Sequence, residues 1–302
     1  MNVLVLGANG FLGQQVRTRL ASLCGFEVQA APPSHTLDLA HVGPLVWDRL
    51  LDSAAPDAVV NCAGRTHGSP EELHAGNVTL VEGLIAAVLR RLTPPRIVHL
   101  ASAAEYGAVP EGHASREDDP ACPLSPYGAS KLAGTVLIEQ AVRSGHVQAV
   151  ALRLTNPLGA GIGAGTLPGR AARELSAAAQ EGRDTVRFGP LGARRDFVDA
   201  HDVARAVLHT LTSDLSGVVN VGSGRARPVR DLVDGLVALT GFRGQILEDA
   251  PGSPRSGDVP YQRADISRLL DSGFTLHHSF HDSLYVLLRG LNPAEARAGV
   301  LS

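Results

Sequence analysis

The sequence predicts an α/β fold, a doubly wound parallel sheet with a smaller C-terminal lobe, on two observations. Short β-branched or apolar runs alternate with helix-like segments over the first half, which is the pattern of parallel strands joined by helical crossovers. Beyond Asn156 the alternation gives way to the glycine-rich stretch Gly159–Gly169 and the Pro/Gly/Ser-rich stretch Pro251–Pro260, which read as loops of a less regular part. A length of 302 residues suits one large α/β unit, or such a unit with a lobe grown onto it.

Each element has its own signal. Val3–Leu6 is a short apolar run that ends at a glycine, hence a buried strand, and Leu12–Leu23 repeats its apolar residues at helical spacing. Glu27–Ala30 reads as a second strand and Val42–Leu51 as a helix. Ala58–Val60 is a strand stopped by Asn61, Val78–Leu92 a helix and Arg96–Leu100 a strand. Tyr127–Arg143 is a helix and Gln148–Leu154 a strand. Later come a helix near Asp202–Leu211, a strand Val218–Val221 and a helix Val229–Leu239. This assigns residues 1–155 to the main α/β domain, with about 196–222 and 262–290 returning to it. The lobe takes about 156–195 and 223–261.

Composition narrows the function. Hydrophobic residues make up 44% and charged residues 19%, an ordinary globular balance. A net charge of -3 with scattered arginines speaks against nucleic acid or an anionic membrane surface as partner. Three cysteines without a C-x-x-C suggest neither a disulfide framework nor a zinc site. The twelve histidines show no spacing such as H-E-x-x-H, so no metal is expected. The chain starts without a charged n-region, and the apolar stretch around Leu80–Leu89 is interrupted by Glu82. No leader, no membrane-spanning segment and a cytoplasmic location are therefore the expectation. Gly222-Ser223-Gly224 is not a nucleophile elbow, and the only lysine lies outside any P-loop pattern.

Gly7-Ala8-Asn9-Gly10-Phe11-Leu12-Gly13 follows the first strand and opens the first helix. Gly7 permits a tight turn, Gly10 lets backbone approach a pyrophosphate, and Gly13 lets the helix sit close to the sheet. The helix start then offers free N–H groups and a positive dipole end to phosphate. The spacing is G-x-x-G-x-x-G, so the strand before and the helix after it carry the assignment to dinucleotide binding.

Tyr127 and Lys131 are four residues apart on a predicted helix and therefore share a face. An ammonium beside a phenol stabilises the phenolate, so the tyrosine can give or take a proton as hydride moves to or from a carbonyl carbon. Lys131 is the only lysine in the chain; all other such cations are arginine. A guanidinium cannot stand in for a compact charge beside a ribose and a phenol. Ser102 follows the strand Arg96–Leu100, at the sheet edge where ligands of open α/β sheets bind. Its hydroxyl could polarise a substrate carbonyl or simply shape a turn.

With these residues the sequence resembles the extended short-chain dehydrogenase/reductases, in particular the nucleotide-sugar epimerase, dehydratase and reductase branch. The resemblance spans nearly the whole chain. It rests on Gly7–Gly13, Asp38-Leu39, Asn61-Cys62-Ala63-Gly64, Asn77, the run Ser102–Gly107, Tyr127-Gly128-Ala129-Ser130-Lys131, Arg153–Gly159, Arg195-Asp196-Phe197 and Arg255-Ser256-Gly257-Asp258. It implies a Rossmann-type sheet and a catalytic trio of Ser102, Tyr127 and Lys131. It implies a cofactor cleft of Gly7, Asn9, Gly10, Phe11, Leu12, Gly13, Asp38 (toward the adenine), Leu39, Cys62, Ala63, Gly64, Asn77, Ala101 and Pro157. Asn156 and Arg195 would hold a substrate diphosphate, and Arg255 with Asp258 would reach diphosphate and ribose.

Two departures narrow the choice. The 4,6-dehydratases place Asp-Glu after the hydroxyl residue, where this chain has Ala103 and Ala104, so water elimination lacks its acid and base. The second strand ends Ala30-Ala31-Pro32-Pro33-Ser34-His35 without the acid that binds a ribose 2′-OH. That favours NADP(H) over NAD(H), with Arg17 or His35 as candidates to help. The expected activity is NAD(P)H-dependent reduction of a nucleotide-diphospho-4-keto-6-deoxysugar. The alternatives are an NAD-dependent 4-epimerase and, from another class, a non-catalytic dinucleotide-sensing protein. A homodimer pairing the helices Val78–Leu92 and Tyr127–Arg143 is expected by family analogy.

Overall fold

The structure is a computed structural model and describes residues 1–251 and 259–291. Its first half runs β1 (Asn2–Leu6), α1 (Phe11–Ala21), β2 (Glu27–Ala30), α2 (Pro44–Ala54), β3 (Ala58–Asn61), α3 (Pro70–His74), a π-helical turn (Ala75–Thr79), α4 (Leu80–Leu89), β4 (Arg96–Ser102), α5 (Pro126–Arg143) and β5 (Ala149–Leu154). The second half adds β6 (Asn156–Leu158), α6 (Leu167–Glu181), β7 (Thr185–Arg187), β8 (Arg194–Asp199), α7 (Ala200–Leu211), β9 (Gly217–Val221), β10 (Ala226–Pro228), α8 (Val229–Thr240), β11 (Gln245–Leu247), α9 (Ser267–Asp271) and α10 (Phe280–Arg289).

Six strands form a parallel sheet in the order β2-β1-β3-β4-β5-β9. Its central strands are apolar on both faces because helices cover both. The period of two is visible in β1: Val3 and Val5 join Val16 and Leu20 of α1 and Val203 and Val207 of α7. Leu4 and Leu6 point the other way, to Trp47 and Leu51 of α2, Val81, Leu84 and Val88 of α4 and Ile138 of α5. The strand order reverses between β1 and β3, which puts a crevice at the C-terminal ends of these two strands.

Among the described residues five helices, α3, α5, α6, α7 and α10, start where a side chain satisfies an open N–H group. Ser125 accepts from Gly128 N and Pro126 occupies the first turn of α5; Ser69 and Glu72 form a reciprocal cap on α3, again with a proline behind it. Because α3, the π turn and α4 are continuous, the helix expected over Val78–Leu92 spans Pro70–Leu89. At 20 residues and mean hydropathy 1.2 it reaches the length and composition of a membrane span, contrary to expectation. Half of it is buried in this fold, where Val81, Leu84 and Val88 pack beneath the sheet.

A second layer contains the three-stranded sheet β10-β8-β6 and the pair β11-β7. Its core joins Ala171, Ala172 and Leu175 of α6, Leu232, Val233 and Leu236 of α8, and Leu284 and Leu287 of α10. The sequence reading gave no helix at α6, whose buried face is Gly169, Ala171, Ala172, Leu175 and Ala178. The stretch 262–290 divides: Leu269 and Phe274 join the main core, whereas α10 packs on the lobe. Likewise β8 lies in the small sheet rather than the large one.

Candidate active site

The crevice is built from the loops that follow β1, β3 and β4. Gly7 has φ +67°, and a Cβ there would sit 2.6 Å from Ala63 N, so the loops after β1 and β3 touch. A Cβ on Gly13 would lie 2.1 Å from Gly7 O, so only glycine lets α1 start against this turn. Gly10 is the N-cap, with no side chain capping the helix and no acid in its first turn. The first N–H groups of α1 are thus left to face a ligand, beside the exposed Asn9 and half-buried Phe11 and Leu12. Tight backbone approach and an uncapped helix start fit a pyrophosphate.

Lys131 is 5% exposed and its Nζ donates to Leu100 O at 2.6 Å, two residues before Ser102. Burial pulls its pKa down to about 8, against the opposing pull of the Glu105 carboxylate. Tyr127, one turn earlier on α5, is only half-buried. A Cβ at Gly128 would lie 2.5 Å from Ala104 O, so the first turn of α5 rests on the turn that follows Ser102. Ser102 Oγ accepts from Ala104 N at 3.2 Å, which leaves its hydroxyl proton for another acceptor. Lys131 and the first turn of α5, which carries Tyr127, therefore adjoin Ser102 at the C-terminal end of β4.

The π turn brings Asn77 to the same place. Its Oδ1 accepts from Arg65 N at 2.9 Å and its Nδ2 donates to Arg65 O and Ser130 Oγ, at 2.8 and 2.9 Å. This locks the Gly64–Arg65 backbone to α5, and a Cβ at Gly64 would meet Asn77 Oδ1 at 2.7 Å and Lys131 Nζ at 3.9 Å. Beneath lies a neutral imidazole. Asn61 Oδ1 accepts from Ala63 N, so its Nδ2 donates to His99 Nδ1 at 3.0 Å and the ring proton sits on Nε2. Burial, with Lys131 nearby, holds His99 well below its ordinary pKa, and burial lifts the Cys62 thiol to about 12.

Other expected residues have different surroundings. Leu39 and Ala101 are 6% and 4% exposed and pack in the core. Asp38 binds Ala40 N and His41 Nδ1, and the His41 contact holds its carboxyl below the usual range. Asn156 donates to Asp196 O and Gln262 Oε1, at 2.9 and 2.6 Å, so its amide hydrogens tie the lobe together rather than stand open. Pro157 is half-buried on β6. Arg195 is buried and its Nη1 donates to Arg194 O. Arg255 and Asp258 lie outside the described residues.

The sequence reading assigned no role to four buried residues, Glu105, Arg153, Thr135 and Asp196. Glu105 and Arg153 pair behind Ser102, and Thr135 joins them on α5. Thr135 continues the i, i+4 face of Tyr127 and Lys131, a signal that was available. Asp196, fully buried, accepts from Ser223, Gly224 and Ala264 and pins three segments together. The fold also gathers Asp199, His201 and His278, with ligand-type atoms within 4.8 Å of one another, which no sequence spacing signals. There the Asp199 carboxylate already caps α7 and accepts from Ser283 Oγ.

Fold and site define the class, an enzyme of the extended short-chain dehydrogenase/reductase type. The chain belongs to the NAD dependent epimerase/dehydratase family, whose model matches residues 3–222. It is 37% identical over 297 residues, 93% of either chain, to the dTDP-6-deoxy-L-talose 4-dehydrogenase (NAD(P)(+)) of Kitasatospora kifunensis. It is 28% identical to the GDP-6-deoxy-D-mannose reductase of Pseudomonas aeruginosa, over 89% of this chain and 90% of that one. Among solved structures, RMD from Pseudomonas aeruginosa complexed with NADPH superposes with TM-score 0.86 at 25% identity, covering 97% of this chain and 100% of that one.

Proposed function

We propose that this chain reduces the 4-keto group of a nucleotide-diphospho-6-deoxysugar with NADPH, or less effectively NADH. The observation that carries the reading is the Ser102/Tyr127/Lys131 cluster at the mouth of the glycine-loop crevice, with alanine at 103 and 104. Gly7–Gly13, Ala63, Gly64 and Asn77 would hold the dinucleotide. When bound, it supplies the hydride equivalent. Ser102 donates a hydrogen bond from its hydroxyl to the substrate carbonyl oxygen and polarises it, keeping its proton. Tyr127 delivers the phenolic proton to that oxygen, and the Lys131 ammonium stabilises the phenolate left behind. The nearest carboxylate along the chain, Glu105, is buried against Arg153 and offers no acid or base for eliminating water.

Relatives support the substrate class, since two act on 6-deoxysugar nucleotides at C4 or as reductases by name. A second reading, 4-epimerisation, is supported by the UDP-glucose 4-epimerase of Azospirillum brasilense at 28% identity over 93% of this chain. The deciding experiment mixes the protein with dTDP- and GDP-4-keto-6-deoxysugars and follows NADPH absorbance. Stoichiometric loss of NADPH supports reduction; C4 inversion of a UDP-sugar with protein-bound NAD and no net redox change supports the epimerase and ends the reductase reading. Cofactor binding without turnover of either kind would revive a sensing role.

The same reading includes a homodimer. The outer face of α5, with Val78 of the π turn before α4 and Pro123 ahead of α5, forms an apolar groove lined also by Leu132, Ala133 and Val136. A second copy of this face would cover it. The location is taken as cytoplasmic on the sequence expectation alone. The lobe is taken as 156–195 and 223–261, with β8 and α10 added to its packing.

A further inference from the structure

Ser102 is held from behind by a buried charge. The Glu105 carboxylate, 0% exposed, accepts hydrogen bonds from three elements. They are Ser102 N–H at the end of β4 (2.9 Å), Thr135 Oγ1–H on α5 (3.0 Å) and Arg153 Nε–H on β5 (2.7 Å). Thr135 lies one turn beyond Lys131 on the same helix face. The Arg153 guanidinium stacks 4.7 Å over the Tyr106 ring, and Tyr106 Oη donates to Asn220 Oδ1 at 2.7 Å. Asn220 Nδ2 in turn donates to Ser115 O and Asp265 O. A continuous polar chain thus runs from Ser102 to the segment that returns from the lobe.

A buried ion pair is weak evidence for stability, because well-packed apolar residues commonly do as well. What this pair does instead is fix geometry. It also sets the charge around Lys131. The titratable groups whose charge acts on that ammonium are Cys62 from the loop after β3, His99 from β4 and Glu105 from the turn after β4, with Tyr127 one turn earlier on its own helix. Burial keeps Cys62 and His99 neutral near pH 7, so Glu105 is the anion that opposes desolvation of Lys131.

We propose that Glu105 is a positioning residue for the reaction: its carboxylate clamps the Ser102 amide, the Tyr127/Lys131 helix and Arg153 in one register and keeps a negative charge behind Lys131. The inference rests on reading Ser102, Tyr127 and Lys131 as the reacting trio. Because Lys131 is the only lysine, protein labelled with 15Nζ-lysine gives one ammonium signal, whose titration needs no substrate. In Glu105→Gln its midpoint falls by about one pH unit. In the same variant kcat falls about 10–100-fold while KM for NADPH stays within about twofold. Thr135→Val removes one bond and no charge, so kcat falls about threefold with an unmoved midpoint.

If Glu105→Gln does not fold, Glu105→Asp carries the test: the charge remains, so the midpoint holds while the shortened clamp lowers kcat. A folded Glu105→Gln whose midpoint does not move, or whose kcat stays within twofold of wild type, overturns the proposal, as does full activity in Glu105→Asp. A falling midpoint in a protein that turns over no keto-sugar nucleotide leaves the clamp standing and sinks the functional reading instead.

Discussion

Lys131 carries the heaviest load of any single residue. With burial holding its pKa near 8 rather than 10.5, the ammonium is present below about pH 8 and lost as pH rises through that value. Stabilisation of the Tyr127 phenolate disappears with it, so kcat should fall on an alkaline limb centred near pH 8. A steady-state pH series checks this, and a limb appearing only above pH 10 would contradict the assignment. Tyr127→Phe removes the transferable proton and little else. Turnover should drop by about 10²–10⁴-fold while NADPH still binds with unchanged affinity by fluorescence titration. At this scale the sequence was informative: one lysine, four residues after a tyrosine, marks the pair. Glu105 and Arg153 were not legible, because nothing in a linear reading tells a buried, paired carboxylate from a solvated one.

At the scale of elements, α1 and α5 owe their positions to glycine contacts. Gly13→Ala forces a methyl group against Gly7 O, where a Cβ would come within 2.1 Å, so the loop must shift. The expected outcome is at least a tenfold weaker NADPH Kd, together with a Tm lower by several degrees from an overpacked contact of about 1–3 kcal/mol. Calorimetric titration and thermal melts read both, and an unchanged Kd would remove Gly7–Gly13 from the binding site. The strand-loop-helix context made this turn legible. The helix Pro70–Leu89 was less so: the sequence reading began it only at Val78, after His74, Gly76 and Asn77. In the fold they are carried in helix and π turn because Asn77 spends its amide on Arg65 and Ser130.

Across the whole molecule, two cores must form. Leu175→Ala opens a cavity in the lobe core, where this side chain is fully buried, and should cost about 2–5 kcal/mol in urea unfolding. If lobe and sheet unfold as one, the loss appears in a single transition; separate transitions would assign it to the lobe alone. Assembly belongs to the same scale. Val136→Glu places a charge in the apolar groove along α5 and should abolish the proposed self-association by light scattering, with cofactor affinity retained. A wild-type protein that is already monomeric would remove the groove from consideration as a self-association face.

The sequence by itself determined the parallel sheet, the glycine turn between β1 and α1 and the tyrosine-lysine helix face. Each is a local pattern: alternation of strand and helix, glycine spacing, and the 3.6-residue turn. Tertiary structure decided which side chains are spent on the protein itself. Leu39 and Ala101 went to the core, Asn156 to a tie between segments, and Glu105, Thr135 and Arg153 to a charged clamp. Those outcomes depend on partners 30 or more residues away, such as Leu100 for Lys131 and Arg153 for Glu105. Burial and hydrogen-bond pairing are properties of the folded neighbourhood, and no local spacing encodes them.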